Sequence, residues 1–264
     1  FGARNYDASL GRWMNIDPLT ETTMQLYSAF NNNPIFFNDP TGMIAESPIY
    51  DTDGELLGTD DQGLQGEAIV MDEKDFKQGM SHEDAKSKDK GTDAIKGEDA
   101  KDKFNDSYDN LSKRPDWDGK LTREEANHWY RNGDGKPLYV DQSKIDLDPV
   151  SMRNFLRFGK ESGSQIQINF ANPLGSSLNF ETGGVYGTIS ITLLNSNGDV
   201  RLGGENGFLD EYDFKMDGRF LRDQLTKVGE HFATVGGKYR KKSESFDIYS
   251  YGNGNIKTDY RTKK

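Results

Sequence analysis

Asp210-Glu211-Tyr212-Asp213 places three carboxylates and a phenol in four consecutive residues, and Arg219 and Arg222 follow closely. Projecting near a strand end, Asp210 and Asp213 suit a magnesium ion, which takes one or two carboxylates and fills its shell with substrate phosphate oxygens. Arginine grips phosphate through paired N–H donors. A bound metal or a carboxylate can then activate water. The same residues also have a purely structural reading, in which Asp213 and Asp217 cap the helix that follows. The histidines are His82, His128 and His231, too few for a histidine-rich nuclease site. No GxGxxG, P-loop, HExxH or GxSxG motif stands in a usable context.

Several elements must position that cluster. Gln165-Ile166-Gln167-Ile168-Asn169-Phe170 alternates as a half-buried strand does. Ser177-Leu178-Asn179-Phe180 reads as the next strand and residues 185–194 as the strongest one. Asn197-Gly198 then turns the chain into residues 199–203. A helix is expected over residues 218–234, with Leu221, Leu225, Val228 and Phe232 on one face. Residues 246–251 alternate as a closing strand. Upstream, Thr122 and Glu125 form a capping box for a helix carrying Ala126, Trp129 and Tyr130 on or near its buried face, with His128 as a surface or core residue. Asp116, Asp118, Gly119 and Glu125 fall at positions three, five, six and twelve of an EF-hand loop. Position one is Arg114, a cation where calcium needs an oxygen, so an Asp-Gly turn is the better reading.

The 264 residues carry a net charge of −11, and 33% of them are hydrophobic. Mean hydropathy is −0.86 and the pI is about 4.9. Such acidity argues against a broad footprint on nucleic acid, although a nuclease needs only a local basic groove. The absence of cysteine rules out disulfides and thiolate metal sites. No apolar run is long enough to span a bilayer. Residues 47–58 carry an Asp53-Gly54 turn between apolar clusters, a hairpin signal, and residues 68–71 suit a third strand. From residue 72 to 114 apolar residues thin out, and a flexible linker is expected, with no role for His82 within it.

The first residues carry a second pattern: Gly2-Ala3-Arg4-Asn5-Tyr6-Asp7-Ala8-Ser9-Leu10-Gly11-Arg12-Trp13, then Ile16-Asp17-Pro18-Leu19, then Asn33-Pro34-Ile35-Phe36-Phe37-Asn38-Asp39-Pro40-Thr41-Gly42-Met43. This run resembles the end of the core of Rhs/YD-repeat proteins. The resemblance implies a hollow β-shell built by the preceding part of a longer protein, with a variable toxin domain after the boundary. Many members cut themselves just after this element, here after Met43, using two aspartates that match Asp17 and Asp39. Two carboxylates sharing one proton can supply acid and base together. Leu19-Thr20-Glu21 stands here where the self-cleaving pattern is glycine-rich, so both Asp-Pro pairs also read as turns that end strands.

Three regions are therefore expected: 1–43, the end of the Rhs core; 44–114, a hairpin plus acidic flexible linker; and 115–264, a C-terminal toxin domain. The fold class is α+β, mostly antiparallel sheet with one long packed helix, preceded by the β-rich core remnant. Within residues 184–258 the order strand, Asn-Gly turn, strand, Asp-x-Tyr-Asp, helix, strand is similar to the catalytic domain of colicin M-type bacteriocins. That family hydrolyses the lipid-linked peptidoglycan precursor in the periplasm with magnesium and an Asp-x-Tyr-Asp…His-Arg signature. Asp210, Tyr212 and Asp213 match its first part, and Arg219 is the matching arginine. Gly218 stands where the histidine would be, so either His231 or Asp217 replaces it as acid or base, or the domain is inactive.

The resemblances together imply an exported effector used in interbacterial competition and a cognate immunity protein. The alternatives are a metal-dependent nuclease toxin, with Arg219, Arg222, Lys227, Lys238, Arg240, Lys241 and Lys242 as its groove, and a non-enzymatic surface or adhesion module.

Overall fold

A computed structural model describes residues 47–156, 161–172, 178–204, 206–213 and 244–258, with the backbone of two short strands before them. Those strands, β1 (Tyr6–Asp7) and β2 (Arg12–Trp13), pair antiparallel with Tyr6 opposite Trp13. Asp17, Asp39 and Met43 lie outside the described residues, as do Asp217, Arg219, Arg222, His231 and the helix expected over 218–234. The chain divides into two compact units, residues 1–118 and 119–264. The architecture is α+β, and six of the eight strand ladders described are antiparallel.

In the first unit, β3 (Pro48–Tyr50) and β4 (Leu56–Thr59) form the expected hairpin. Asp51 Oδ1 closes the turn by accepting the amides of Asp53 and Glu55 at 2.9 and 2.8 Å. Gly54 there has φ +80°, and a Cβ on it would overlap the Ala100 carbonyl oxygen. The third strand, β5 (Ile69–Val70), joins β3 in parallel. Side chains of this three-stranded sheet alternate between its faces. Ile49 and Ile69 pack with Met71 and with Ala85 of α1 (His82–Ser87). Tyr50 and Val70 pack with Ile95 and with Phe104 of α2 (Glu98–Asp109).

The flexible linker expected over 72–114 is therefore overturned: both helices fall inside it. Ala100, Phe104 and Tyr108 recur every fourth residue, so sparse apolar residues still make one continuous helical stripe. Phe104 meets Tyr50 edge-on at 4.8 Å and stacks on Tyr108 at 5.5 Å. Acidic side chains bind backbone here, which offsets part of the ordering entropy. Asp89 Oδ1, for instance, accepts the amides of Val70 and Gly91.

The second unit holds two sheets around one core. The first has the order β10 (Phe208–Tyr212), β11 (Phe246–Tyr251), β6 (Leu138–Asp141), with β11 antiparallel to β10 and parallel to β6. The second has the order β12 (Gly254–Asn255), β9 (Asp199–Leu202), β8 (Thr188–Leu193), β7 (Gln165–Asn169), all antiparallel. Gln142 spans the two sheets: its Oε1 accepts the Leu202 amide at 2.7 Å and its Nε2 donates to Ser250 Oγ at 3.0 Å. Among the described residues three α-helices complete the unit: α3 (Arg123–Asn132), α4 (Met152–Leu156) and α5 (Phe180–Tyr186).

The capping box of α3 forms as expected. Glu125 Oε2 accepts the Thr122 amide at 2.9 Å, and the Glu125 amide donates to Thr122 Oγ1 at 3.3 Å. Residues 178–186 correct the sequence reading. In place of a strand, Phe180–Tyr186 form α5, and β8 begins at Thr188 rather than at residue 185. Asn179 Oδ1 caps that helix by accepting the amides of Glu181 and Thr182, both at 3.1 Å.

Candidate functional site

β10 carries the acidic cluster, and it is a strand through Tyr212 rather than a loop beyond one. A bulge interrupts its pairing with β11: Phe208 faces Tyr249 and Asp210 faces Ile248, so Leu209 is the extra residue. Bulges re-aim the side chains that follow them. Tyr212 is only 7% exposed and belongs to the main core, stacked on Phe246 at 5.2 Å and edge-on to Tyr130 at 6.2 Å. Its hydroxyl donates to Asn127 Oδ1 at 2.7 Å. Burial pushes the phenol up to about 12, and the nearby charges of Arg123 and Arg131 pull against that shift. Tyr212 therefore keeps its proton at neutral pH and donates it in the hydrogen bond to Asn127.

Asp210 and Asp213 are both half-buried. Asp210 Oδ1 accepts the Glu211 amide at 3.0 Å, while Oδ2 faces Gly187, where a Cβ would lie 3.6 Å from it. Gly187 follows α5 with φ +59°, a conformation that glycine adopts without strain. One turn earlier, a Cβ on Gly184 would stand 2.8 Å from Arg123 Cδ, and one on Gly183 would stand 2.5 Å from the Phe170 backbone. The glycine pair thus lets α5 sit tightly between Phe170 and the Arg123 side chain. Asp210 and Arg123 both border α5 as a result, three residues apart along it.

Sequence reasoning missed Arg123 and Asn127. The available signal was their spacing: Arg123, Asn127 and Arg131 recur every fourth residue, which puts them along one face of a helix. Tyr130, already placed near the buried face, supplies the aromatic contact to Tyr212. His128 is exposed, as a surface histidine of that helix.

In the EF-hand register the position-three carboxylate is already engaged. Asp116 is fully buried and accepts two N–H bonds from Arg114, at 2.9 and 2.8 Å, so its carboxylate serves the cation that stands at position one. Among the described residues no group of three or more His, Cys, Asp and Glu side chains is placed to hold a metal.

A second ionisable pair lies in the first unit. Asp60, fully buried, meets His82 Nδ1 at 2.7 Å and accepts the amides of Gln62 and Gly63 through its other oxygen. Asp61 Oδ1 in turn accepts the His82 amide at 3.0 Å. His82, which the sequence left without a role, thus pins the loop after β4 to the start of α1.

A scan of protein families finds no match, and a search of curated proteins finds none. Among solved structures, the chain is similar to PaeM, a colicin M-like bacteriocin of Pseudomonas aeruginosa. Identity is 16% and the TM-score 0.31, over 54% of this chain and 52% of that one. It is also similar to truncated bacteriocin syringacin M from Pseudomonas syringae pv. tomato DC3000, at 18% identity and a TM-score of 0.26, over 60% of this chain and 73% of that one. The first likeness spans about half the length of PaeM. At these TM-scores neither likeness bears on activity. Among the described residues no helix is long and apolar enough to cross a membrane.

Proposed function

We propose that this chain is the C-terminal toxin region of an Rhs-type polymorphic toxin used between competing bacteria. In this reading its second unit hydrolyses a lipid-linked peptidoglycan precursor in the periplasm of the target cell. The upstream Rhs shell and a cognate immunity protein are its partners. The observation that carries the reading is the seating of Asp210 and Tyr212 on a bulged strand, with Arg123 and Asn127 of α3 beside them. Carboxylate and guanidinium are groups that a metal-bound diphosphate ester calls for.

The donor set fits Mg2+, a hard cation that binds through one or two carboxylates plus phosphate oxygens. Asp210 and Asp213 would hold it, and no third acidic or histidine ligand joins them among the described residues. When bound, the metal supplies Lewis-acid polarisation and an acidified water. Tyr212 keeps its proton and orients; Arg219 adds charge for the phosphates; His231 or Asp217 serves as acid or base. The chain's charge of −11 weighs against the nuclease alternative.

The test is the fate of cells producing the full chain with and without an export signal, beside Asp213→Ala. Lysis on export alone, abolished by Asp213→Ala, is the expected result. Growth arrest without export, with nucleic acid degraded, would instead identify a nuclease. Healthy cells in both cases, with folded protein present, would end the enzymatic reading.

A further inference from the structure

We infer that β7 is a dimerisation edge, and that it pairs antiparallel with β7 of a second copy of this chain about a two-fold axis at Ile168. Among the described residues β7 (Gln165–Asn169) has β8 as its strand partner and forms the outer edge of the second sheet. An open edge is a template for further pairing, and folded chains blunt it with charge, proline, bulges or short length. The other edges described in the second unit carry such devices. β12 is two residues long, β10 has a bulge with Asp210 and Glu211, and β6 follows Pro137 and ends on Asp141. β7 has none of them. Its five residues run in unbroken register with β8, and neither strand bears a charge in a chain that is 29% charged.

The edge is complementary to itself. The Phe170 amide donates to the Gly187 carbonyl at 2.9 Å, so by antiparallel alternation Ile166 and Ile168 bond β8, and the main-chain groups of Gln167 and Asn169 point outward. Their side chains are each half committed. Gln167 Nε2 donates to Ser190 Oγ at 3.4 Å, which leaves Oε1 as an acceptor. Asn169 Oδ1 accepts the Ala171 amide at 2.9 Å, which leaves Nδ2 as a donor. With the axis at Ile168, Gln167 lies opposite Asn169 of the second copy, and the spare acceptor of one meets the spare donor of the other. Ile168, half-buried against the main core, would meet its own copy at the closely spaced, non-hydrogen-bonded position. The two sheets then become one, and the seam uses no residue of the acidic cluster.

Sedimentation equilibrium of the full chain at roughly 1–200 µM is the test. Wild type is expected to rise with concentration from the mass of one chain, 29.7 kDa, toward twice that. Gln167→Glu with Asn169→Asp sets carboxylate against carboxylate across the seam and is expected to raise the dissociation constant about tenfold or more. Gln167→Lys with Asn169→Asp sets unlike charges there and restores association, with far-UV circular dichroism checking that both variants are folded. Wild type at the mass of one chain throughout overturns the inference. It does so whether hydrogen exchange finds the Gln167 and Asn169 amides covered by another part of this chain or open to a different protein. Association in the all-acidic variant within about twofold of wild type also overturns it, as does an unlike-charge variant that stays monomeric.

Discussion

The two units differ in how much apolar core stands behind their acidic residues. In the first, carboxylates are turned inward to the chain's own donors: Asp51 closes a hairpin, Asp89 extends a sheet edge, Asp60 binds two amides and His82, and Asp116 binds Arg114. Its apolar clusters are small, with a few buried residues on either face of a three-stranded sheet. The second unit is built on one large core running from Leu121 to Ile256. Its acidic cluster lies at the end of a bulged strand. Where the core is thin, carboxylates bound to the chain's own donors carry more of the fold.

That contrast can be broken at Asp116. Asp116→Ala leaves the half-buried Arg114 guanidinium without two of its acceptors and is expected to cost about 3 kcal/mol. Urea denaturation with hydrogen exchange read over α2 and the β3–β5 sheet measures it. An unchanged midpoint would mean that acids do not hold this unit together. In the second unit the corresponding loss is smaller. Thr122→Ala removes half of the capping box that starts α3 and is expected to cost about 1 kcal/mol, seen as a lower thermal midpoint. A loss as large as that at Asp116 would erase the distinction.

The smallest effect is a slope. Burial holds the Asp60 carboxyl above its usual range, against the pull of its bonds to His82, Gln62 and Gly63. A raised carboxyl contributes stability that is fully present below the unfolded value of about 3.9 and is lost as pH rises through the folded value. First-unit stability should therefore decline with rising pH across that window, and Asp60→Asn should flatten the decline. Equal slopes in both proteins would remove Asp60 from the account.

Much of this was legible in the sequence where the cause is local. Asp53-Gly54 announced the first hairpin, Thr122 and Glu125 announced α3, and strict alternation announced β7 and β11. Failures came where a distant partner decides. Leu178, Phe180, Val185 and Tyr186 suit a strand by type, but Asn179 caps a helix and Gly183 must meet the Phe170 backbone, so tertiary contact overrides local preference. The supposed linker failed for a related reason: Phe104 becomes core only because Tyr50 stands ready to receive it. At the site, the acidic cluster was visible as a string of residue types. The burial of Tyr212 and its bond to Asn127 were not, since both depend on how β10 meets α3.

The middle position of β11 carries a consequence for biosynthesis. β10 has β11 as its strand partner among the described residues, and β11 alone links it to β6. On the ribosome, residues 208–212 emerge well before residues 246–251, so Asp210 and Tyr212 sit on an unpaired strand until the later segment is translated. A nascent chain, or one stopped prematurely before Phe246, would possess every residue of the acidic cluster and none of its geometry.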